Sequence, residues 1–127
     1  MKKLSETLTE LGIAFSYPIE INDSNGNETY CEESNGDWWR SEYDSNWNET
    51  YHEGSNGFWY KKEYDANGNM TYYEDSDGDW CKREYGANGN ETYHEDSDGV
   101  KKGTPESART YGRVVEVDGI KYTITAL

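Results

Sequence analysis

Carboxylates at a fixed spacing are the groups of this chain that could do chemistry. Glu32, Glu53, Glu74 and Glu95 stand 21 residues apart, and Glu42, Glu63 and Glu84 keep the same step. So do Trp38, Trp59 and Trp80, while Asp75 and Asp79 flank a turn sequence. A catalytic carboxylate needs an apolar pocket to raise its pKa. A chain with 32% hydrophobic and 30% charged residues has little from which to build one, so no enzyme activity is expected. What rows of acid do create is a field that attracts cations and basic proteins and repels phosphates. Between residues 23 and 98 there are 20 acidic and 5 basic side chains, a local charge of about −15 within a total of −14. Direct nucleic-acid binding is disfavoured. A basic protein surface, such as the groove of a nucleic-acid-binding protein, is the expected partner. Aromatic rings supply interface anchors, so the expected partner-binding residues are the ten above together with Asp75 and Asp79, the recurring Glu residues setting the charge lattice.

Other chemistry is poorly served. His52 and His94 fall four strands apart in a meander, roughly 19 Å, too far to share a metal. Cys31 and Cys81 lack metal or redox spacing and read as free thiols. Asp23-x-Asn25-x-Asn27, with its counterparts at Asp44 and Asp65, has the oxygen spacing that opens a calcium loop, but its Gly sits at the wrong position and no closing Glu follows. Turn chemistry accounts for these residues without metal. No nucleophile elbow or phosphate-binding Gly loop occurs. No cofactor or metal is expected. With neither signal peptide nor apolar run of spanning length, the expected location is the cytoplasm, with no membrane association.

The element that must position these residues is a 21-residue unit, present three and a half times from Asp23, Asp44, Asp65 and Gly86. Its pattern is D-x-N-G-N-x-T-Y-x-E-x-S-[ND]-G-x-W-x-[KR]-x-E-Y. A fixed period marks an array in which each unit leans on its neighbours. Each unit reads as two short strands between two turn signals. A two-residue loop at Asn35-Gly36 would pair residue i with 71 − i, and a three-residue loop at Ser45-Asn46-Trp47 would pair i with 92 − i. The two together return the period of 21. That register places Cys31 beside Arg40 and Trp38 beside Glu33 on one face, and Tyr30 beside Ser41 on the other. Trp47 stands where Gly is expected and implies a strained loop. Residues 1–22 form an N-terminal helix over Lys3–Leu11 and a capping strand over Ile13–Ile21. Residues 23–99 form the repeats, and 100–127 a linker and a C-terminal hairpin cap around Asp118-Gly119. The fold expected is mainly β: a largely single-layer antiparallel meander of tandem hairpins.

The string Tyr64-Asp65-Ala66-Asn67-Gly68-Asn69-Met70-Thr71 resembles the YD (Rhs-type) repeat of bacterial secreted toxins and teneurins. The likeness covers residues 23–99 and implies a β-hairpin array. Long arrays of that family enclose a toxin; this one has too few copies to enclose anything, and departs from the pattern at Trp47, at Gly86 and in its acid content. Its short acidic form is similar to small phage-encoded proteins. The function expected is that of a non-enzymatic nucleic-acid mimic blocking the positive groove of a host-defence nuclease or CRISPR effector. The alternatives are a structural or adhesive array and a calcium-dependent module.

Overall fold

The computed structural model describes residues 2–106 and 114–123. A short helix, α1 (Leu4–Glu10), precedes nine strands: β1 (Ile19–Asn22), β2 (Glu28–Glu32), β3 (Trp38–Tyr43), β4 (Glu49–Gly54), β5 (Trp59–Tyr64), β6 (Met70–Asp75), β7 (Trp80–Tyr85), β8 (Glu91–Asp96) and β9 (Lys101–Gly103). They form one sheet in sequential order, every neighbour antiparallel. β10 (Val114–Val117) and β11 (Ile120–Thr123) make a separate hairpin, as expected around Asp118-Gly119. The expectations for residues 107–113 and 124–127 lie outside the described residues.

All eight turns of the meander are of one kind. In each, the N–H of the fourth residue donates to the carbonyl of the first, and the N–H of the first donates to the carbonyl of the fifth: Gly36 N to Glu33 O and Glu33 N to Asp37 O, then Trp47 N to Asp44 O and Asp44 N to Asn48 O. This is a three-residue loop with a left-handed third position. The Asn35-Gly36 loop therefore has three residues, Ser34-Asn35-Gly36, and not two. Cys31 faces Trp39 and Tyr30 faces Arg40, one residue away from the expected register. A one-residue slip exchanges the faces of a whole strand, so the expected rows of Cys31 with Arg40 and Tyr30 with Ser41 are corrected.

Two odd loops would advance the chain by 22 residues per pair of strands and reverse the faces of every successive unit. A β-bulge prevents this. Glu42 faces Tyr51 and Tyr43 faces Glu49, leaving Thr50 extra, and the same shift recurs at Glu63/Tyr64 and Glu84/Tyr85. The bulge adds one residue. From Tyr30 through Arg40 to Glu53 the advance is 53 minus 30, or 23, an even two more than the repeat. Faces are conserved, and each unit is staggered by two residues against the last.

One face, face 1, carries Tyr30, Glu32, Trp38, Arg40, Tyr51, Glu53, Trp59, Lys61, Tyr72, Glu74, Trp80, Lys82, Tyr93 and Glu95. The other, face 2, carries Cys31, Trp39, Ser41, His52, Tyr60, Tyr73, Cys81 and His94. Only Ile19, Cys31 and Tyr93 are buried apolar residues among those described, so the sheet is a single layer held by cross-strand pairs. The repeat's serine fastens one unit to the next. Ser55 Oγ accepts Trp38 N–H and Ser55 N–H bonds Trp38 O, and Ser76 with Trp59 and Ser97 with Trp80 do likewise.

The ends depart from expectation in two ways. Residues 13–18 are not strand: continued pairing would run them into the turn at Glu33, where β2 has ended. Lys101–Gly103, expected as linker, is paired to β8, because Asp96–Val100 makes the common turn once more. Gly103 turns the chain away at φ 80°, with its backbone so close to Thr92 O that a Cβ would lie 2.0 Å from it.

Trp47 adopts φ 66° where all seven other turns of this meander hold Gly at φ between 82° and 93°, and the left-handed region costs a non-glycine residue about 1–2 kcal/mol. Its ring is 63% exposed. Trp47→Gly should raise the urea midpoint at unchanged m-value, a stabilisation of about 1 kcal/mol. A lowered midpoint would mean that the indole stabilises the turn more than its backbone strains it.

Candidate functional site

The recurring glutamates of face 1 are built into the sheet. In every unit the tyrosine two residues earlier donates its phenol to the carboxylate: Tyr30 to Glu32 at 2.7 Å, Tyr51 to Glu53 at 3.2 Å, Tyr72 to Glu74 at 2.7 Å and Tyr93 to Glu95 at 2.7 Å. Cations stand opposite. Arg40 Nε reaches Glu53 Oε2 at 2.8 Å, Lys61 faces Glu74, Lys82 faces Glu95, and Lys101 Nζ lies 3.9 Å from Glu95. The rings join the same ladder. Tyr30 stacks on Trp38 and Tyr51 on Trp59, each at 6.5 Å, while Arg40 lies over Tyr51 and Lys61 and Lys82 over Trp59 and Trp80 at 5.2–5.5 Å. Each row thus alternates acid, phenol, cation and indole, every group partly desolvated by the next. Desolvation and then the bond to Glu32 push the Tyr30 phenol up to about 12.

Glu32 differs from its counterparts because α1 lies over it. It is 1% exposed. Its Oε1 accepts Ser5 N–H at 3.1 Å beside the Tyr30 phenol, Tyr30 Oη accepts Leu4 N–H at 3.2 Å, and Lys3 Nζ donates to Gly36 O at 2.8 Å. Lys3, the N-cap, offers no side-chain acceptor to its own helix. Glu32 supplies it from the sheet, and α1 is capped by the strand on which it rests. Burial alone would raise the Glu32 pKa. The Ser5 hydroxyl, the Tyr30 phenol, Ser5 N–H and the Lys3 charge together hold it below the ordinary carboxylate value.

Face 2 has its own chain of contacts. Trp39 Nε1 donates to Glu28 Oε1 at 2.9 Å, and Tyr60 donates to Glu49. Tyr60 stacks between His52 at 5.2 Å and Tyr73 at 6.1 Å. Tyr73 donates to Asp75 at 2.8 Å, and burial followed by this bond raises its pKa to about 12. At the turns, one oxygen of Asp23, Asp44 or Asp65 accepts the N–H groups two and four residues on. These are the Asx turns expected from the D-x-N-G-N pattern, and the second oxygen of each Asp accepts the side-chain amide of Asn27, Asn48 or Asn69.

The twelve expected partner-binding residues therefore separate. Glu42, Glu63 and Asp79 are exposed. Glu53, Glu74, Glu95, Glu84 and the three tryptophans are half-buried in the ladders. Glu32 and Asp75 are buried; Asp75 is spent on Asp77 N–H, Asp79 N–H and the Tyr73 phenol. Neither Glu32 nor Asp75 can meet a partner from inside these contacts, which corrects their assignment. Face 1 holds two open grooves of about 600 and 810 Å³ in successive units, one between Glu42, Tyr51, Lys61 and Glu63, the next between Glu63, Tyr72, Lys82 and Glu84.

Sequence reasoning named Asp79 but missed the other acids that share its long edge. Alternate turns, Glu33–Asp37, Gly54–Phe58, Asp75–Asp79 and Asp96–Val100, fall on the same side of the meander. Glu33, Asp37, Asp77, Asp79 and Asp98 are exposed there, and among the described residues no cation lies within ion-pair distance of them. Hairpin parity alone would have found them. No helix among the described residues is long and apolar enough to cross a membrane. No family model and no curated protein matches the chain.

Because the Glu32 pKa is depressed in the folded state, its contribution is present above the ordinary carboxylate pKa of about 4.3 and is lost as pH falls through the lower folded value. Glu32→Gln at neutral pH should weaken the docking of α1 by about 2 kcal/mol, the scale of a hydrogen bond to a charged group. Amide exchange at Leu4 and Ser5 would then quicken while β5–β8 remain protected. Unchanged protection at Ser5 in the variant would show that α1 does not depend on this cap.

Proposed function

We propose that the protein is a non-enzymatic acidic binding protein that occupies the positive groove of a nucleic-acid-binding protein, such as a host-defence nuclease or CRISPR effector, in place of its nucleic acid. The reading places its action in the cytoplasm, where such enzymes meet their substrates. The observation that carries it is the uncompensated turn edge: Glu33, Asp37, Asp77, Asp79 and Asp98, all exposed, on the first, third and fourth of the four turns of that side. At two strand spacings per turn the row spans about 29 Å. Negative charge held on a rigid edge steers a basic surface toward it and penalises free phosphate. Glu42 and Glu63 extend the charge onto face 1. The recurring glutamates and tryptophans act behind this surface, as the ladder that keeps the edge straight.

The Asp77, Asp79 and Asp98 side chains make no hydrogen bond or ion pair among the described residues, so converting all three to Asn should leave the sheet intact. Against a nucleic-acid-binding protein captured by the parent at low salt, association should slow about tenfold, with little change in dissociation and a flatter salt dependence. If the triple variant associates as fast as the parent at low salt, the acid is a solubility device and the chain a structural β-array.

A further inference from the structure

On face 2, at the first edge of the sheet, three ligand-bearing side chains converge. β1 sets Glu20 directly opposite Cys31. The bulge at the start of β2 brings Glu28, three residues before Cys31, round to the same face, where Trp39 holds it. A carboxylate oxygen of Glu20, one of Glu28 and Cys31 Sγ all lie within 4.8 Å of one another. We propose that Glu20, Glu28 and Cys31 form a site for a thiophilic divalent cation of the Zn²⁺ class, which ties edge strand β1 to β2. This inference is independent of the charge-mimic reading.

Three observations point to a cation. Cys31 is 3% exposed, yet its thiol has no hydrogen-bond partner among the described residues; what surrounds it is negative. Neither Glu20 nor Glu28 has an ion-pair partner among the described residues, so the cluster holds no positive charge of its own. Glu28 is also oriented as a metal-binding carboxylate would be: the Trp39 indole takes Oε1 at 2.9 Å and leaves Oε2 free.

The repeats give the third observation. The position of Glu28 and Cys31 is filled by Glu49 and His52 in the second unit and by Glu91 and His94 in the fourth. In the third unit it is filled by Met70 and Tyr73. The copy that loses the nitrogen or sulfur ligand loses the carboxylate as well. Among the described residues three such ligand atoms converge within 4.8 Å only in the first unit; in the fourth, Asp96 lies on the other ring nitrogen of His94. His52 is flanked across the strands by Ser41 and Tyr60, and His94 by Arg83 and Lys102, which repel a cation.

Binding would exchange the thiol proton, released to solvent, for a sulfur–metal bond, with one oxygen from each glutamate and a water completing a tetrahedron. Metal–ligand bonds of about 2.0–2.3 Å require ligand atoms roughly 3.3–3.8 Å apart, a closure within reach of the exposed Glu20 side chain. Sulfur in the set favours Zn²⁺ or Co²⁺ over Ca²⁺ and Mg²⁺, which take oxygen ligands.

Cobalt reports the site directly. Titrating the reduced full-length protein with Co²⁺ should give thiolate-to-cobalt charge-transfer absorption saturating at one equivalent, and Zn²⁺ should abolish it by displacement. Cys31→Ser should remove the band and Cys81→Ser keep it. Glu20→Gln, at an exposed position the fold does not need, should weaken Co²⁺ binding by at least about tenfold. The inference is overturned if the parent shows no band, if Cys81→Ser removes it while Cys31→Ser does not, or if Glu20→Gln binds Co²⁺ as tightly as the parent.

Discussion

Parity governs this molecule. A repeat of odd length, folded into two strands, must present the same face each time it recurs, or the alternation of side chains is scrambled from unit to unit. Both loops of the unit have three residues, so the loops alone would advance the chain by an even number against an odd repeat. The bulge at Thr50 and its equivalents supplies the missing residue. Every ladder on face 1 and every stacked ring on face 2 follow from that insertion. Bulges are often treated as local irregularities; here one is the term that lets the array exist.

The bulge also does chemistry. It rotates Glu28, Glu49 and Glu91 onto face 2, where they meet Trp39, Tyr60 and His94. Without it they would join Tyr30, Tyr51 and Tyr93 on face 1, and the cluster around Cys31 would not form. The single layer makes these placements consequential. With only Ile19, Cys31 and Tyr93 buried as apolar residues among those described, stability is spread over many contacts, each worth roughly 0.2–1 kcal/mol. Tyrosine suits this architecture because its ring covers apolar neighbours while its phenol satisfies a carboxylate that the ring has partly desolvated.

Much of this was legible in the residues. The period, the strand positions, the sequential antiparallel order, the N-terminal helix and the strained backbone at Trp47 all follow from turn chemistry and alternation. The register did not, because Asn35-Gly36 suits a two-residue hairpin loop as well as the last two places of a three-residue one. Read as facing Trp38, Trp59 and Trp80, Glu33, Gly54 and Asp75 instead close the turns against Asp37, Phe58 and Asp79. That ambiguity moved Cys31 away from Trp39, while the bulge at Ile21/Asn22 sets Glu20 opposite Cys31 where the expected register pairs Ile19 with it. The burial of Glu32 was illegible for another reason. Within its own unit it matches Glu53, Glu74 and Glu95, and only the arrival of α1, a segment outside the repeat, sets it apart. The turn-edge acids were visible as residues but were not grouped, since their common edge emerges only when all turns are counted together.

Near-identical units carry a hazard that their ends resolve. A strand displaced by one whole unit would meet almost the same neighbours: Tyr51-His52-Glu53 offers β3 nearly what Tyr30-Cys31-Glu32 does. Translation by a repeat is thus a low-energy folding error, and the interior of the array contains little to forbid it. The seal of α1 on Glu32 exists at one end only, and the turn-away at Gly103, where no side chain fits beneath Thr92, exists only at the other. These act as index marks on a ruler of equal divisions. A frame-shifted chain can satisfy one mark or the other but not both, and it strands a hairpin beyond the sheet. Register is therefore fixed by two non-repetitive ends, while the units between them remain free to be duplicated or lost as whole blocks without disturbing either face.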